Sequence, residues 1–214
     1  MAQVASKLTF VHRTPDRTPF VRRTVQAVFI LLNLWIGARF YFFVRYYETG
    51  GQTVFVSRPP GVEGWLPIAG LMNLKYLLLT GNVPDVHPAA MFLLVAFVLI
   101  SFVARKAFCS WLCPVGTLSE WLWEGGREIF GKNVRAPRWL DIPLRGLKYL
   151  LLGFFGYAVA SMTVPGLKGF LNSPYGLVAD VKMLNFFRHV GTTGAVIIAV
   201  LLLGSVFVKN LWCR

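Results

Sequence analysis

The sequence is short of acidic side chains and of cysteine. Its 214 residues include 9 Asp and Glu against 22 Lys and Arg, and only 3 cysteines. The acids lie outside the apolar runs, which argues against a proton pump or a cation transporter, since these need intramembrane acids. There is no Walker-type glycine loop, dinucleotide fingerprint or Ser/His/Asp arrangement, so nothing in the sequence points to nucleotide-dependent or triad chemistry.

Long apolar runs are the main feature that is present. The chain is 56% hydrophobic, with a mean hydropathy of +0.58. About 20 apolar residues can span a bilayer as a helix, which satisfies its own backbone amides there. We therefore predict an all-α integral membrane fold with four transmembrane helices. They are expected at Thr24–Val44, Ala89–Ala104, Leu147–Val164 and Thr193–Val208.

The distribution of the positive charge supports this fold. A net charge of +13 would suggest a nucleic-acid partner in a soluble protein. Here most Lys and Arg lie before the first run, between the second and third, or after the fourth. The positive-inside rule then places both termini and the middle loop in the cytoplasm. We expect the lipid bilayer, and no nucleic acid, as a partner.

The chain divides into two similar transmembrane hairpins, and interfacial or re-entrant helices are expected in their loops. Duplicated membrane folds of this kind tend to place functional sites between the repeats. The predicted parts are a cytoplasmic basic tail at 1–23, the first hairpin at 24–116, a cytoplasmic interfacial segment at 117–145, and the second hairpin at 146–214.

The interfacial segment has the features of a helix in the headgroup region. Thr117-Leu-Ser-Glu120 is a capping box, which predicts a helix that starts near Thr117. Glu120, Glu124 and Glu128 then share one face because they are four residues apart. Trp121, Trp123 and Ile129 can face the membrane.

The cysteines stand at matching places in the two hairpins. Cys109 and Cys113 follow the second apolar run, and Cys213 follows the fourth. Their predicted compartment is reducing, so a structural disulfide is not expected. Cys-x3-Cys-Pro is also the end of the bacterial ferredoxin cluster run. We predict that Cys109, Cys113 and Cys213 are metal-ligating, cofactor-binding thiolates; the alternative is that they are small apolar residues in an apolar protein.

With these motifs the sequence resembles the membrane-anchored polyferredoxin, or 4Fe-4S binding protein, family of the NapH and NosR type. The resemblance rests on the segment from Phe108 to Gly116 and on Trp212-Cys213-Arg214. Cys109 and Cys113 match the family's first cytoplasmic motif, and Cys213 matches the opening of the second. The resemblance implies the N-terminal transmembrane portion of a longer protein, with a truncation before a ferredoxin module. A [4Fe-4S] cluster would be completed by residues beyond the chain end.

The resemblance also implies a function and a location. The protein would be an electron-transfer component of an oxidoreductase in the bacterial inner membrane. It would pass electrons between the quinone pool or cytoplasmic donors and a membrane or periplasmic reductase or maturation system. Redox proteins, and quinone, are the implied partners. A different class stays open, a thiol-based copper-handling or assembly factor, because thiolates also bind Cu(I). A third alternative is a structural anchor whose cysteines are incidental.

Two histidines suggest a second cofactor. His87 and His189 precede the second and fourth apolar runs at matching positions. If they face each other, they could be the axial ligands of a haem. The plainer interpretation is that they are histidines at helix starts near the membrane interface.

Overall fold

The computed structural model describes residues 17–105, 108–131, 138–209 and 211. The regular elements in this part of the chain are all helical, which confirms the all-α prediction. The helices are α1 (Thr18–Glu48), α2 (Pro67–Thr80), α3 (Pro88–Val103), α4 (Pro114–Phe130), α5 (Arg138–Ser161), α6 (Val164–Leu171), α7 (Pro174–Leu177), α8 (Ala179–Arg188) and α9 (Thr192–Phe207).

The four apolar runs correspond to α1, α3, α5 and α9, but the four-span arrangement is only partly reproduced. Among the described residues, α1 alone is long and apolar enough to cross a membrane by itself. Two bent pairs pass the same test together: the 146–161 part of α5 with α6, at an angle of 110°, and α8 with α9, at 80°. Counting each pair as one span gives up to 3 crossings, and α3 is apolar but shorter, at 16 residues.

The first hairpin is held at both ends of α1. Near the start of α1, Gln26 reaches the segment that follows α3. Near its end, Phe40 and Val44 pack on Val62, which lies in a 3-10 turn over Pro60–Trp65. Helix α3 starts beside the 3-10 turn, near the end of α1, and ends near the start of α1. The two helices are therefore antiparallel.

Helix α2 lies in the loop between α1 and α3 and packs along α3. Gly70 permits this contact, because a Cβ at that position would come within 2.7 Å of the Ala90 carbonyl oxygen. Its Lys75 reaches the second hairpin, where Nζ donates to carbonyls at the end of α5, including Val159 at 3.0 Å and Ala160 at 2.7 Å. A cation is favoured at that position because the carbonyl end of a helix is negative.

The second loop contains α6, α7 and α8, so both predicted outer loops contain helices. An apolar cluster joins the two loops: Met72 of α2 packs with Val159 of α5 and with Leu167 and Leu171 of α6. The contact places the loop helices of both hairpins side by side at one end of the molecule.

Candidate metal centre

The cysteine segment is a single π-helical turn followed by a break. The turn covers Phe108–Leu112, and the backbone N–H of Cys113 donates to the carbonyl of Phe108 at 2.9 Å. Cys113 itself is extended, with φ −72° and ψ 116°, and Pro114 is the first residue of α4. Proline is well suited to that position because its missing N–H has no partner in a first turn.

The predicted start of α4 is wrong by one turn. The helix begins at Pro114, so Thr117 lies inside it, and the Thr117 hydroxyl donates to the carbonyl of Cys113 at 3.1 Å. The capping box does not form, because the Glu120 carboxylate instead pairs with side chains of α1. Cys113 is therefore the residue that caps α4.

The two described thiols differ in exposure. Cys109 is exposed and Cys113 is half-buried. Thiolates are the ligands of iron–sulfur clusters, so this pair fits half of a four-thiolate set. A helix N-terminus, which begins at Cys113, favours bound negative charge.

The third predicted ligand, Cys213, lies outside the described residues. In the part of the chain that the structure describes, no group of three or more His, Cys, Asp or Glu could hold a metal ion. The predicted set of three cysteines therefore stays a prediction.

Gln26 of α1 holds the cysteine segment from the side. Its amide Nε2 lies 2.9 Å from the carbonyl oxygen of Ser110, between the two cysteines, and 2.8 Å from Oε2 of Glu120. Gln26 is buried, with 1% of its surface exposed. One side chain thus ties α1 to both the π-helical turn and α4.

Two ion pairs extend this contact along α4. Arg22 pairs with Glu120, and Arg23 pairs with Glu124 at 3.1 Å. Two of the three acids on the predicted acidic face of α4, Glu120 and Glu124, therefore face the start of α1. Both arginines belong to the first turns of α1, which starts at Thr18, earlier than the predicted span.

Aromatic packing fixes the entry to the turn. The rings of Phe97 in α3 and Phe108 lie 4.7 Å apart between centroids. Between them the chain turns through Arg105, which has a φ of 53°. This left-handed conformation is uncommon for a residue other than glycine and ends α3 sharply.

The end of α9 meets the other side of α4. Gly126 has room only for hydrogen, because a Cβ there would collide with the Val206 carbonyl oxygen. Beyond the helix, Lys209 lies over the Trp123 ring, with Nζ 4.7 Å from the centroid. Trp123 is buried, with 7% exposed, so its predicted membrane-facing position is wrong. Its face of α4 packs against α9 instead.

The haem interpretation of the histidines has no support in the structure. His87 is buried, and its Nδ1 and Nε2 atoms lie 2.7 Å from Arg58 and 2.9 Å from the Gly176 carbonyl. Both nitrogens that could bind iron are thus engaged with protein groups. His189 is exposed at the end of α8.

Sequence reasoning missed Gln26 and Glu63 as organising residues. A polar side chain inside an apolar run was the available signal for Gln26, because such residues are costly in a membrane unless they have a partner. Glu63 is buried in the 3-10 turn, and no local sequence pattern predicts its role. Its partners come from distant parts of the chain.

Comparison with known proteins agrees with the thiol chemistry. Residues 86–137 and 190–214 match the 4Fe-4S binding domain family. The chain is also 56% identical over 193 residues to the "Putative electron transport protein YccM" of Escherichia coli (strain K12), a match that covers 90% of this chain and 54% of that protein. No solved structure matches the chain.

These findings confirm the resemblance to 4Fe-4S binding proteins that the cysteine motifs indicated. Both matched stretches include the predicted ligands, since the first contains Cys109 and Cys113 and the second contains Cys213. The chain spans about half the length of the curated relative it matches.

Proposed function

We propose that this chain, a relative of 4Fe-4S binding electron-transport proteins, is the membrane portion of an iron–sulfur electron carrier. Cys109, Cys113 and Cys213, with a further cysteine outside this chain, would hold a [4Fe-4S] cluster. Such a cluster accepts and donates single electrons when bound. The electrons would pass between the quinone pool or cytoplasmic donors and a partner reductase or maturation system, as in the NapH and NosR type proteins.

One observation carries the proposal: α4 follows the cysteine segment of the first hairpin and also contacts the described end of the second hairpin. At its start, α4 is capped by Cys113 and tied to α1 through Gln26 and Glu120. Farther along, its Trp123 ring lies under Lys209, which precedes Cys213 by four residues. The cysteine segment of the first hairpin and Lys209 of the second hairpin thus contact the same helix.

Two segment lengths bear on the proposed convergence of the three cysteine sulfurs. Trp123 and Cys113 are ten residues apart, which is about 15 Å along a helix. Four residues from Lys209 to Cys213 span at most about 14 Å when extended. Leu211 lies against α9, with its side chain 3.0 Å from a Cβ placed at Gly204, so the reach of this segment is shorter than that upper limit. The cysteine side chains and a cluster would add several ångströms, and the proposed convergence needs this added length.

The proposed membrane arrangement has four crossings, α1, α3, α5 and α9, with both termini in the cytoplasm of a bacterium. The large apolar side chains exposed on these helices support it, because water-exposed surfaces of this kind are rare in soluble monomers. Examples from three helices are Leu34 at 64%, Phe102 at 86% and Val200 at 61% exposed. The bends at the loop ends of α5 and α9 would then lie at the membrane boundary.

The protein's own residues would set the properties of the centre. The N-terminal amides of α4 favour the negative charge of the thiolates. The exposed side of Cys109 leaves the site open to a docking redox partner. Hydrogen bonds and local charge around the sulfurs determine the reduction potential of such centres.

The direct test measures the metal content of the full-length protein, purified in detergent without air. We expect the protein to contain iron and acid-labile sulfide. The content of both should be lower by about half a cluster equivalent or more in Cys109→Ser and in Cys113→Ser, because each substitution removes a ligand. Ser110→Ala is the matched control, since it changes the side chain between the two cysteines and keeps the backbone carbonyl that Gln26 binds.

Two results would contradict the proposal. Copper bound without sulfide would favour the copper-handling alternative, because soft thiolates suit Cu(I) as well. Unchanged iron and sulfide in both serine variants would show that the cluster is held elsewhere.

A further inference from the structure

A second group of titratable side chains lies at the end of α3 opposite to Cys109. It comprises Arg58, Glu63 and His87 from the first loop and Asp180 from the second. We call these four residues the buried ionic cluster. The 16 residues of α3 separate it from the cysteine segment by about 24 Å. It is therefore independent of the metal centre.

Arg58 is at the middle of the buried ionic cluster. Its Nη2 atom lies 2.8 Å from Oδ2 of Asp180, 3.3 Å from Oε1 of Glu63 and 2.7 Å from Nδ1 of His87. The other three members are buried, with 6% of Glu63, 3% of His87 and 2% of Asp180 exposed. Four ionisable groups thus share one largely dry site.

The charges in the cluster do not balance when His87 is neutral. Two carboxylates then face one guanidinium, and a buried excess charge is unfavourable. The other polar partners of His87 in the described chain are neutral: the Gly176 carbonyl from α7, and the Asn73 amide of α2, which donates to the His87 carbonyl at 2.8 Å. One added proton would make the cluster neutral.

The hydrogen bonds identify the atom that lacks this proton. Arg58 can only donate, so its 2.7 Å contact requires an unprotonated Nδ1 on His87. Nε2 then carries the hydrogen of the neutral ring and donates to the Gly176 carbonyl at 2.9 Å. Oε1 of Glu63 lies 3.5 Å from the same Nδ1. This carboxylate oxygen is the acceptor that a protonated Nδ1 needs.

We propose that the buried ionic cluster is a proton-binding site and that Nδ1 of His87 is the atom that takes the proton. On protonation, the new N–H of Nδ1 donates to Glu63. Arg58 then leaves the ring and keeps its ion pair with Asp180. The proton comes from water, and no electron is transferred.

The pKa shifts of the first-loop residues agree with this geometry. The hydrogen bond to Glu63 raises the pKa of His87 above its ordinary 6.5, although burial and the Arg58 charge oppose it. Burial by itself would raise the pKa of Glu63, but His87 and Arg58 outweigh it and hold that pKa below 4.5. His87 therefore exchanges its proton while Glu63 stays ionised.

Proton binding would change the contact between the two loops. His87 begins α3 in a left-handed conformation, with φ 53°, and its ring touches Gly176 of the second loop. Arg58 connects the first loop to Asp180 of α8. The movement of Arg58 from the ring would leave Asp180 as its main partner, so the protonated cluster joins the loops through two separate links.

The test is ¹⁵N NMR of the histidine rings in the labelled full-length protein, with His87→Gln to identify the signal. We expect the titration midpoint of His87 to lie above that of an ordinary histidine. At a pH above this midpoint, the ring should be neutral with its hydrogen on Nε2. Glu63→Gln should lower this midpoint by about 1 pH unit or more, because it removes the anion that stabilises the imidazolium. Arg58→Gln should raise it, because it removes the opposing cation.

Asp85→Asn is the matched control, because Asp85 is an exposed acid two residues before His87. It should leave the midpoint unchanged. The proposal is overturned if the His87 ring stays neutral down to about pH 5, the lower end of the range in which histidine normally titrates. It is also overturned if Glu63→Gln and Asp85→Asn shift the midpoint equally.

Discussion

The side-chain amide of Gln26 donates a hydrogen bond to the backbone carbonyl of Ser110, which lies between Cys109 and Cys113. The same amide nitrogen contacts Glu120, which in turn pairs with Arg22. A polar group in the first apolar helix therefore orients the backbone of the predicted ligand segment. Groups that orient metal ligands from behind commonly affect both metal affinity and potential.

Removing the Gln26 amide should loosen the cysteine segment. In Gln26→Leu the partly buried Ser110 carbonyl loses this partner, at a cost of about 1 kcal/mol. We expect lower cluster occupancy and, in the remaining clusters, a changed reduction potential measured by EPR-monitored titration. Asn33→Leu is the control, since that amide also lies on α1, but it donates to the α1 carbonyl of Phe29 and accepts from Trp65, away from the cysteine segment. Equal losses in both variants would mean that only the general stability of α1 had changed.

The two ion pairs between α1 and α4 should contribute unequally. Glu120 also accepts from buried Gln26, whereas Glu124 pairs with Arg23, whose side chain is 64% exposed. Exposed pairs contribute about 0–1 kcal/mol, and loss of a charged group with a buried partner costs more. Thermal unfolding in detergent should therefore show a larger decrease for Glu120→Gln than for Glu124→Gln. The reverse order would contradict the assigned role of Gln26.

Adjacent glycines in α4 offer a test of its contact with α9. A methyl group at Gly126 would strike the Val206 backbone, whereas at Gly125 it would meet nothing within 4 Å. Gly126→Ala should therefore push α9 away from α4, lower the unfolding temperature and reduce cluster content. Gly125→Ala should be neutral or stabilising by up to about 1 kcal/mol, because alanine favours helix more than glycine does. If both variants retain full cluster content, the α9 contact does not position a ligand.

Stability should depend on pH through His87 and Glu63. The raised pKa of His87 gives stability that is complete below its ordinary 6.5 and is lost as the pH rises through the folded value. The lowered pKa of Glu63 gives stability that is complete above 4.5 and is lost as the pH falls. The apparent unfolding temperature should therefore be highest between these two values. His87→Gln should flatten the alkaline side and Glu63→Gln the acid side; an unchanged profile in both would refute the assignment.

The positions of the apolar helices α1, α3, α5 and α9 could be predicted from hydropathy, because backbone amides in an apolar run have few options besides a helix. The cysteine motif was equally visible, since it is local in sequence. The exact start of α4 was not. Thr117 and Glu120 have the right spacing for a capping box, but Glu120 has stronger partners in Gln26 and Arg22.

The residues that tertiary contacts bring together could not be predicted. Gln26 and Ser110 are 84 positions apart, and no periodicity links them. The same holds for Arg58 and Asp180, which lie in the loops of different hairpins. Trp123 looked like an interfacial aromatic until the packing of α9 showed what covers it.

A cross-link between the two hairpins is the most direct test of whether they share a metal centre. In the cluster-free full-length protein, a short bifunctional maleimide should join Cys113 to Cys213, and peptide mass spectrometry would identify the linked pair. If the two thiols belong to one centre, this link forms in the native protein and is lost after unfolding. If both thiols react with the single-ended maleimide but never become linked to each other, the two hairpins do not share a metal centre.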